Sequence, residues 1–150
     1  MGLGFAFRQT MSGSYWRLDA PADEGAVAFA IEATACDVRE FTRSKILRIT
    51  GTIDAERLAS AQCLDGTIAF RLFDERRVAY HFSFCGDDGR RYDLSGQEEW
   101  RKLSPIASLT LLPASIYDDR GEEIARATLR FDARSDWAKW MRSFRLRWFW

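Results

Sequence analysis

The ionisable residues that could catalyse a reaction are sparse and poorly grouped. His81 is the only histidine, and it shares the strand phase of Arg77 and Ser83, which favours a surface position over a role as general base. Carboxylates occur as adjacent pairs in or beside predicted turns, where solvated carboxylates are common: Asp87-Asp88, Glu98-Glu99, Asp118-Asp119 and Glu122-Glu123. General acid–base catalysis needs two such groups in different environments within a cleft. The sequence therefore predicts no catalytic residue.

The composition also disfavours a metal, a cofactor and nucleic acid as ligands. Three cysteines, Cys36, Cys63 and Cys85, lack the spacing of metal ligands, and their odd number is typical of free thiols in a reducing cytoplasm. No glycine-rich dinucleotide fingerprint occurs in the sequence, so no cofactor is predicted. The 22 basic and 22 acidic residues give a net charge of zero, which disfavours nucleic-acid binding. We expect a cytoplasmic protein, with a peripheral position at the inner membrane as the alternative.

Eight runs of sequence alternate apolar and polar residues with a period of two, as strands with one buried face do. They lie at 5–11, 27–33, 47–53, 68–72, 78–84, 92–94, 109–111 and 129–131. The strongest turn signals are Gly86-Asp87-Asp88-Gly89 and Asp118-Asp119-Arg120-Gly121. Helical turns are predicted at 37–44, capped by Asp37 with Val38 and Phe41 inward, and at 55–61. Pro113 indicates that the seventh strand is an edge, is bulged or ends early.

Antiparallel strands of this kind lose their exposed edges when they close on themselves. We therefore predict an all-β fold, an eight-stranded antiparallel up-and-down barrel that resembles the lipocalin plan, over residues 4–132 of a single domain spanning 1–150. A two-sheet sandwich is the competing fold. After Asp132, Trp137, Trp140, Met141 and Phe144 recur with helical spacing, which predicts an amphipathic C-terminal helix over 135–148.

The side chains in the inward phase are almost all apolar, and they define the predicted binding site. Only Gln9, Tyr80 and Tyr92 bring polar atoms to that side. Such an interior suits an apolar ligand held by two or three hydrogen bonds, although a barrel filled by its own aromatic side chains fits the pattern equally well. The predicted ligand-binding residues are Phe7, Gln9, Phe29, Ile31, Phe70, Tyr80, Phe82 and Tyr92.

The C-terminal segment is rich in tryptophan and arginine, and acidic residues are absent from residues 137–150. The predicted helix either docks on the barrel wall or lies at the interface of an anionic bilayer. A chain seldom exposes terminal aromatic residues without a partner, so Trp148, Phe149 and Trp150 are predicted to contact a partner or a membrane.

A series of short motifs runs along the chain: Met11-Ser12-Gly13, Asp37-Val38-Arg39-Glu40-Phe41, Gly51, Leu72-Phe73, Tyr80-His81-Phe82-Ser83-Phe84, Asp88-Gly89, Tyr92-Asp93-Leu94-Ser95-Gly96, Leu109-Thr110-Leu111 and Ile116-Tyr117. The order of these motifs resembles a β-domain attached to glucose–methanol–choline-type flavin oxidoreductases and to some α/β-hydrolase-like chains in bacteria. Where that domain carries Gly-Lys, Gly96 is followed by Gln97. The resemblance implies an accessory barrel whose partner domain would perform the flavin chemistry.

Three functions follow from these patterns. The first is non-catalytic binding of a hydrophobic small molecule, such as a fatty acid, sterol or polyketide. The second, which the resemblance and the aromatic C-terminal residues imply, is an accessory or regulatory domain of a flavin oxidoreductase or hydrolase. The third is a small barrel cyclase or isomerase that acts by orienting an apolar substrate, which needs little acid–base machinery.

Overall fold

The computed structural model describes residues 2–71, 77–99, 111–131 and 142–149. Strands dominate these ranges, with one short helix. The elements are β1 Gly2–Arg17, β2 Ala20–Ala35, α1 Val38–Ser44, β3 Ile46–Ala55, β4 Ala59–Arg71, β5 Arg77–Cys85, β6 Arg91–Glu99, β7 Leu111–Tyr117, β8 Glu123–Arg130 and β9 Arg145–Phe149.

Strands β1 to β8 form a closed antiparallel barrel. Each strand pairs with its neighbour in sequence, and β1 pairs with both β2 and β8, which closes the sheet. The C-terminal part of β1, from Ser12 to Arg17, pairs with β8, whereas its N-terminal part, from Gly2 to Ala6, pairs with β9. The predicted eight-stranded up-and-down barrel is confirmed, and β9 is an additional strand outside the closed ring.

The two ends of the barrel differ in their connections. At one end, which we call the hairpin end, short turns join β1 to β2, β3 to β4, β5 to β6 and β7 to β8. The other end, which we call the helix end, contains α1 between β2 and β3 together with the start of β1. The intervals of sequence between β2 and β3 and between β6 and β7, of ten and eleven residues, are longer than any turn at the hairpin end.

The inward phase is confirmed in the strands with long alternation. Val78, Tyr80, Phe82 and Phe84 of β5 are all buried. The prediction for β7 is wrong: Leu111 is exposed, and the buried positions are Leu112, Ala114 and Ile116. Leu72 and Leu109, also assigned to the inward phase, lie outside the described residues.

Pro113 lies where β7 loses one of its two neighbours. Pro113 pairs with Thr128 of β8, whereas the pairing of β7 with β6 extends only from Ala114 to Tyr117. A proline lacks the N–H that a second partner strand would need, so this position explains its presence within a strand.

Helix α1 follows its predicted cap. The Asp37 carboxylate accepts a hydrogen bond from the Arg39 N–H at 2.8 Å, and Lys45 ends the helix in a left-handed conformation. Phe41 packs against the core as predicted, but Val38 is exposed. The second predicted helical turn, at 55–61, is wrong, because Ala55 ends β3, residues 56–58 form a tight turn and Ala59 begins β4.

Two glycines within strands allow close approach of neighbouring backbones. A Cβ atom on Gly51 would overlap the carbonyl oxygen of Ala30, and one on Gly66 would overlap that of His81. Glycine at such positions is typical of the sharp bends that strands need to close a small barrel.

The C-terminal prediction is partly overturned. Residues 135–141 of the predicted helix lie outside the described residues, whereas 145–148 belong to strand β9 and are not helical. Arg145 and Arg147 alternate with Leu146 and Trp148, so this end of the chain has the period of a strand. Within the described residues, no helix is long and apolar enough to span a membrane.

Candidate functional site

A hydrogen bond crosses the interior of the barrel and joins two of the predicted polar residues. The hydroxyl of Tyr80 donates to Oε1 of Gln9 at 3.3 Å. Gln9 lies on β1 and Tyr80 on β5, four strands away around the ring. Tyr80 is buried and Gln9 is half-buried. We call these residues the Gln9–Tyr80 pair.

The layer on the hairpin side of this pair is closely packed. Phe29 lies 6.3 Å from the ring of Tyr80 and 5.3 Å from that of Phe82, centroid to centroid. Phe29, Ile31 and Phe82 are at most 3% exposed. Aromatic rings at these distances and angles pack favourably, so side chains fill this part of the barrel.

On the helix side of the pair, five phenylalanine rings form a continuous arc. Phe41 of α1 contacts Phe70 of β4 at 6.0 Å and Phe5 of β1 at 5.3 Å. Phe144 stacks on Phe5 at 6.5 Å and on Phe7 at 4.9 Å. Except for the buried Phe7, these rings are only partly covered. We call this set, Phe5, Phe7, Phe41, Phe70 and Phe144, the aromatic arc.

The side chain of Ser143 holds the adjacent Phe144 in place by bonding the backbone of β1 where that strand has no neighbour among the described residues on this side. The Ser143 hydroxyl accepts from the Arg8 N–H at 2.8 Å and donates to the Arg8 carbonyl at 3.2 Å. Arg8 lies between the part of β1 that pairs with β9 and the part that pairs with β8. Ser143 thus satisfies backbone groups at the seam where β1 changes partners.

Tyr92, also predicted to bind the ligand, lies at the opposite end of the barrel. Its ring stacks on Phe84 at 5.7 Å, and its hydroxyl donates to the Asp88 carboxylate at 2.6 Å. Burial, and then the bond to Asp88, raise the pKa of Tyr92. The structure therefore brings Gln9 and Tyr80 together and leaves Tyr92 apart from them.

At the hairpin end, aspartate carboxylates accept hydrogen bonds from donors in and beside the turns. Asp87 accepts bonds from the side chain of Gln62 and from both the N–H and the hydroxyl of Ser60, and these bonds lower its pKa. Arg90 binds both carboxylate oxygens of Asp119, at 2.7 and 3.3 Å, and thereby links two hairpins. The carboxylate pairs at 87–88 and 118–119 are thus turn residues.

The described residues offer little for catalysis or metal binding. The charged side chains whose placement the structure describes are all at least partly exposed, and His81 faces outward as predicted. The described ranges contain no group of three histidine, cysteine or acidic side chains that could hold a metal ion. The three cysteines are exposed and free.

Sequence reasoning missed three members of the aromatic arc as site residues. The sequence pattern predicts that Phe5 and Phe41 face inward. It does not show how close they lie to the Gln9–Tyr80 pair. Phe144 was assigned to a helix face. The contact between Phe41 and Phe70 requires the three-dimensional closure of α1 over the barrel, for which the sequence carries no local signal.

Comparison with protein-family models finds no match, and comparison with curated protein sequences finds none either. Among solved structures, the chain is similar to a de novo designed fluorescence-activating β-barrel. The two share 16% identity and a TM-score of 0.44, over 83% of this chain and 92% of the designed one. This likeness is too low to bear on function, and the fold rests on the strand pairings described above.

Proposed function

We propose that the barrel binds a small apolar molecule with one hydrogen-bond acceptor, at the helix end and between the aromatic arc and the Gln9–Tyr80 pair. The observation that supports the proposal most directly is this pair, two polar side chains that bond each other across the interior between the packed layer and the aromatic arc. Ligand sites in proteins commonly combine apolar walls with a few polar groups that fix orientation.

The polarity of the ligand follows from the donors of the pair. Oε1 of Gln9 already accepts the Tyr80 hydroxyl, whereas within the described residues the amide NH2 group of Gln9 meets no acceptor. A half-buried amide donor gains free energy when it meets a carbonyl, ester or carboxylate oxygen. The matching ligand class therefore has an apolar body and one carbonyl, ester or carboxylate group, as a fatty acid does.

The position of the ligand follows from packing. The layer of Phe29, Ile31 and Phe82 is full, so the molecule would lie on the helix side of Tyr80. There the partly covered rings of Phe5, Phe41 and Phe70 would supply its apolar contacts. Aromatic rings suit this role because each buries a large area with few rotatable bonds.

Titration with cis-parinaric acid, a fluorescent fatty acid, tests the proposal. We expect saturable binding that Gln9→Leu and Tyr80→Phe each weaken about five- to tenfold, the value of one hydrogen bond. Tyr92→Phe is the matched control, since it removes a hydroxyl of the same kind at the hairpin end, and its affinity should stay within about twofold.

Two results would overturn the proposal. One is fluorescence that rises without saturation. The other is an equal loss of affinity in Tyr80→Phe and Tyr92→Phe, because that would mean that the probe responds to general loosening of the barrel. Native mass spectrometry of the purified protein adds a direct check for a co-purified lipid.

The other functions inferred from the sequence stay predictions. An accessory role beside a flavin oxidoreductase or hydrolase would require a complex with such an enzyme, which co-purification would test. A barrel cyclase or isomerase would turn over an apolar substrate, and the scarcity of buried ionisable groups restricts it to catalysis by orientation. The cytoplasmic location is likewise a prediction.

A further inference from the structure

Exposed apolar side chains concentrate at one end of the molecule. Of the seven large hydrophobic side chains that are exposed in the described residues, only Leu18 lies at the hairpin end. The other six belong to elements of the helix end: Val38, Ile46, Leu111, Phe144, Leu146 and Trp148. Leu146 and Trp148, on β9, are 74% and 65% exposed. Large apolar side chains exposed together at one end of a molecule are characteristic of interaction surfaces.

Charge is also separated along the barrel, although the whole chain is neutral. At the helix end, described residues 2–8, 32–48 and 142–149 carry three acidic side chains and eight basic ones: Arg8, Arg39, Arg43, Lys45, Arg48, Arg142, Arg145 and Arg147. The turns of the hairpin end, at 17–19, 56–57, 86–91 and 118–123, carry eight acidic and five basic ones. The apolar end is therefore also the positive end.

Glu32 organises the arginines beside the exposed strand. Its carboxylate lies 3.5 Å from Nε of Arg8, 3.1 Å from a guanidinium nitrogen of Arg145 and 3.7 Å from one of Arg147. Three guanidinium groups share one carboxylate, so the cluster keeps a net positive charge. Each of these arginine side chains is at least 40% exposed.

Strand β9 carries both properties on its two faces. Leu146 pairs with Phe5 and Trp148 pairs with Leu3, on the face of the sheet that continues the barrel interior. Arg145 and Arg147 lie on the opposite face, beside Glu32. Tryptophan with flanking arginines is the combination that favours the headgroup region of a bilayer.

From these placements we infer that the helix end docks on the surface of an anionic membrane, with Leu146 and Trp148 in the interface and Arg145 and Arg147 against the lipid phosphates. Charge complementarity favours this occupant, because a neutral bilayer carries no net negative charge and a second copy docked helix end to helix end would bring two positive ends together. The inference does not depend on the ligand proposed above.

Co-sedimentation of the full chain with vesicles tests the docking surface. We expect binding to vesicles of phosphatidylcholine with about 30% phosphatidylglycerol, little binding to phosphatidylcholine alone, and release at about 0.5 M salt. Leu146→Ser with Trp148→Ser, and separately Arg145→Gln with Arg147→Gln, should each lower the partition coefficient about tenfold or more.

Matched variants separate docking from loss of structure. Leu18→Ser and Arg120→Gln make the same kinds of change at the hairpin end and should bind like the parent protein. Glu32→Gln removes the carboxylate from the same arginine contacts and so makes the surface more positive, and it should strengthen binding to anionic vesicles. Gln9→Leu should leave vesicle binding unchanged, which distinguishes this surface from the ligand site.

Several outcomes would overturn the inference. These are equal binding to neutral and anionic vesicles, no binding to either, weaker binding in Glu32→Gln, or an equal loss in the hairpin-end controls. A concentration-dependent dimer in analytical ultracentrifugation that Leu146→Ser with Trp148→Ser abolishes would assign the surface to a second copy of the chain instead.

Discussion

Phe82 lies in the packed layer on the hairpin side of the Gln9–Tyr80 pair, and its truncation should therefore destabilise the barrel strongly. This side chain has no exposed surface and lies 5.3 Å from the ring of Phe29 and 6.2 Å from that of Phe84. Its neighbours belong to strands fixed by pairing on both sides, so the site has little freedom to collapse. Truncation of a phenylalanine at such a site costs about 3 to 5 kcal/mol, and we expect about 4 kcal/mol for Phe82→Ala.

The matched variant is Phe144→Ala, which removes the same atoms from a ring that is already 40% exposed. This variant loses partial burial and the ring contacts with Phe5 and Phe7, and we expect a loss of about 1.5 kcal/mol in the free energy of unfolding. Urea denaturation gives the free energy of unfolding of each variant. The larger loss, that of Phe82→Ala, should lower the melting temperature by about 10 °C for a chain of this size.

A smaller change keeps the test informative if Phe82→Ala does not fold. Phe82→Leu should lower the free energy of unfolding by about 1 to 2 kcal/mol, and the variant should still unfold in a single cooperative transition. A cost for Phe82→Ala no greater than that for Phe144→Ala would refute the packed layer. The barrel would then be hollow down to Phe82, and the ligand position proposed above would have to move toward the hairpin end.

Three further predictions concern the frame around the site. Because the bonds of Asp87 to Gln62 and Ser60 lower its pKa, their stabilisation is present above about pH 4 and is lost as the pH falls through the folded-state pKa, so Asp87→Asn should flatten the loss of melting temperature below pH 4. Gly51→Ala should lower the free energy of unfolding by about 1 to 3 kcal/mol, because the new Cβ overlaps a carbonyl oxygen of β2, and an unchanged urea midpoint would contradict this. Ser143→Ala should speed hydrogen exchange at the Arg8 amide about fivefold, and unchanged exchange would show that Ser143 does not protect the seam.

Side-chain parity predicted which face of a strand is buried, but not the height of a residue along the barrel. Gln9, Tyr80 and Tyr92 share the inward face, yet only the first two meet. Tyr92 pairs with Phe84 beside the turn at Gly86–Gly89, so the turn signal could have assigned it to the hairpin end. The Gln9–Tyr80 bond spans 71 positions in sequence and depends on closure of the whole ring, for which no local pattern exists.

Two elements were mispredicted because a local signal was ambiguous. In β7 the consecutive leucines 111 and 112 fit either phase, and the small residue Ala114 hid the correct one. In β9 the helical spacing that ends at Phe144 was extended into Arg145–Phe149, where basic and apolar residues already alternate with a period of two. The sequence therefore indicates the change of period at Phe144. This change marks the point where the chain returns to pair with β1.

The unequal connections at the two ends explain why the proposed activities share one end. The hairpin turns satisfy their own polar groups through Asp87, Asp88 and Asp118, so that end is closed by local chemistry. At the helix end, α1 and the segment before β9 contribute Phe41 and Phe144 to a surface that the strands alone could not build. A rigid barrel that carries its adaptable groups on longer connections is the usual arrangement for binding. An apolar ligand taken from a membrane would meet β9 first and the Gln9–Tyr80 pair second. Loss of vesicle binding in the β9 variants should therefore slow ligand uptake from vesicles while leaving affinity for the free probe unchanged.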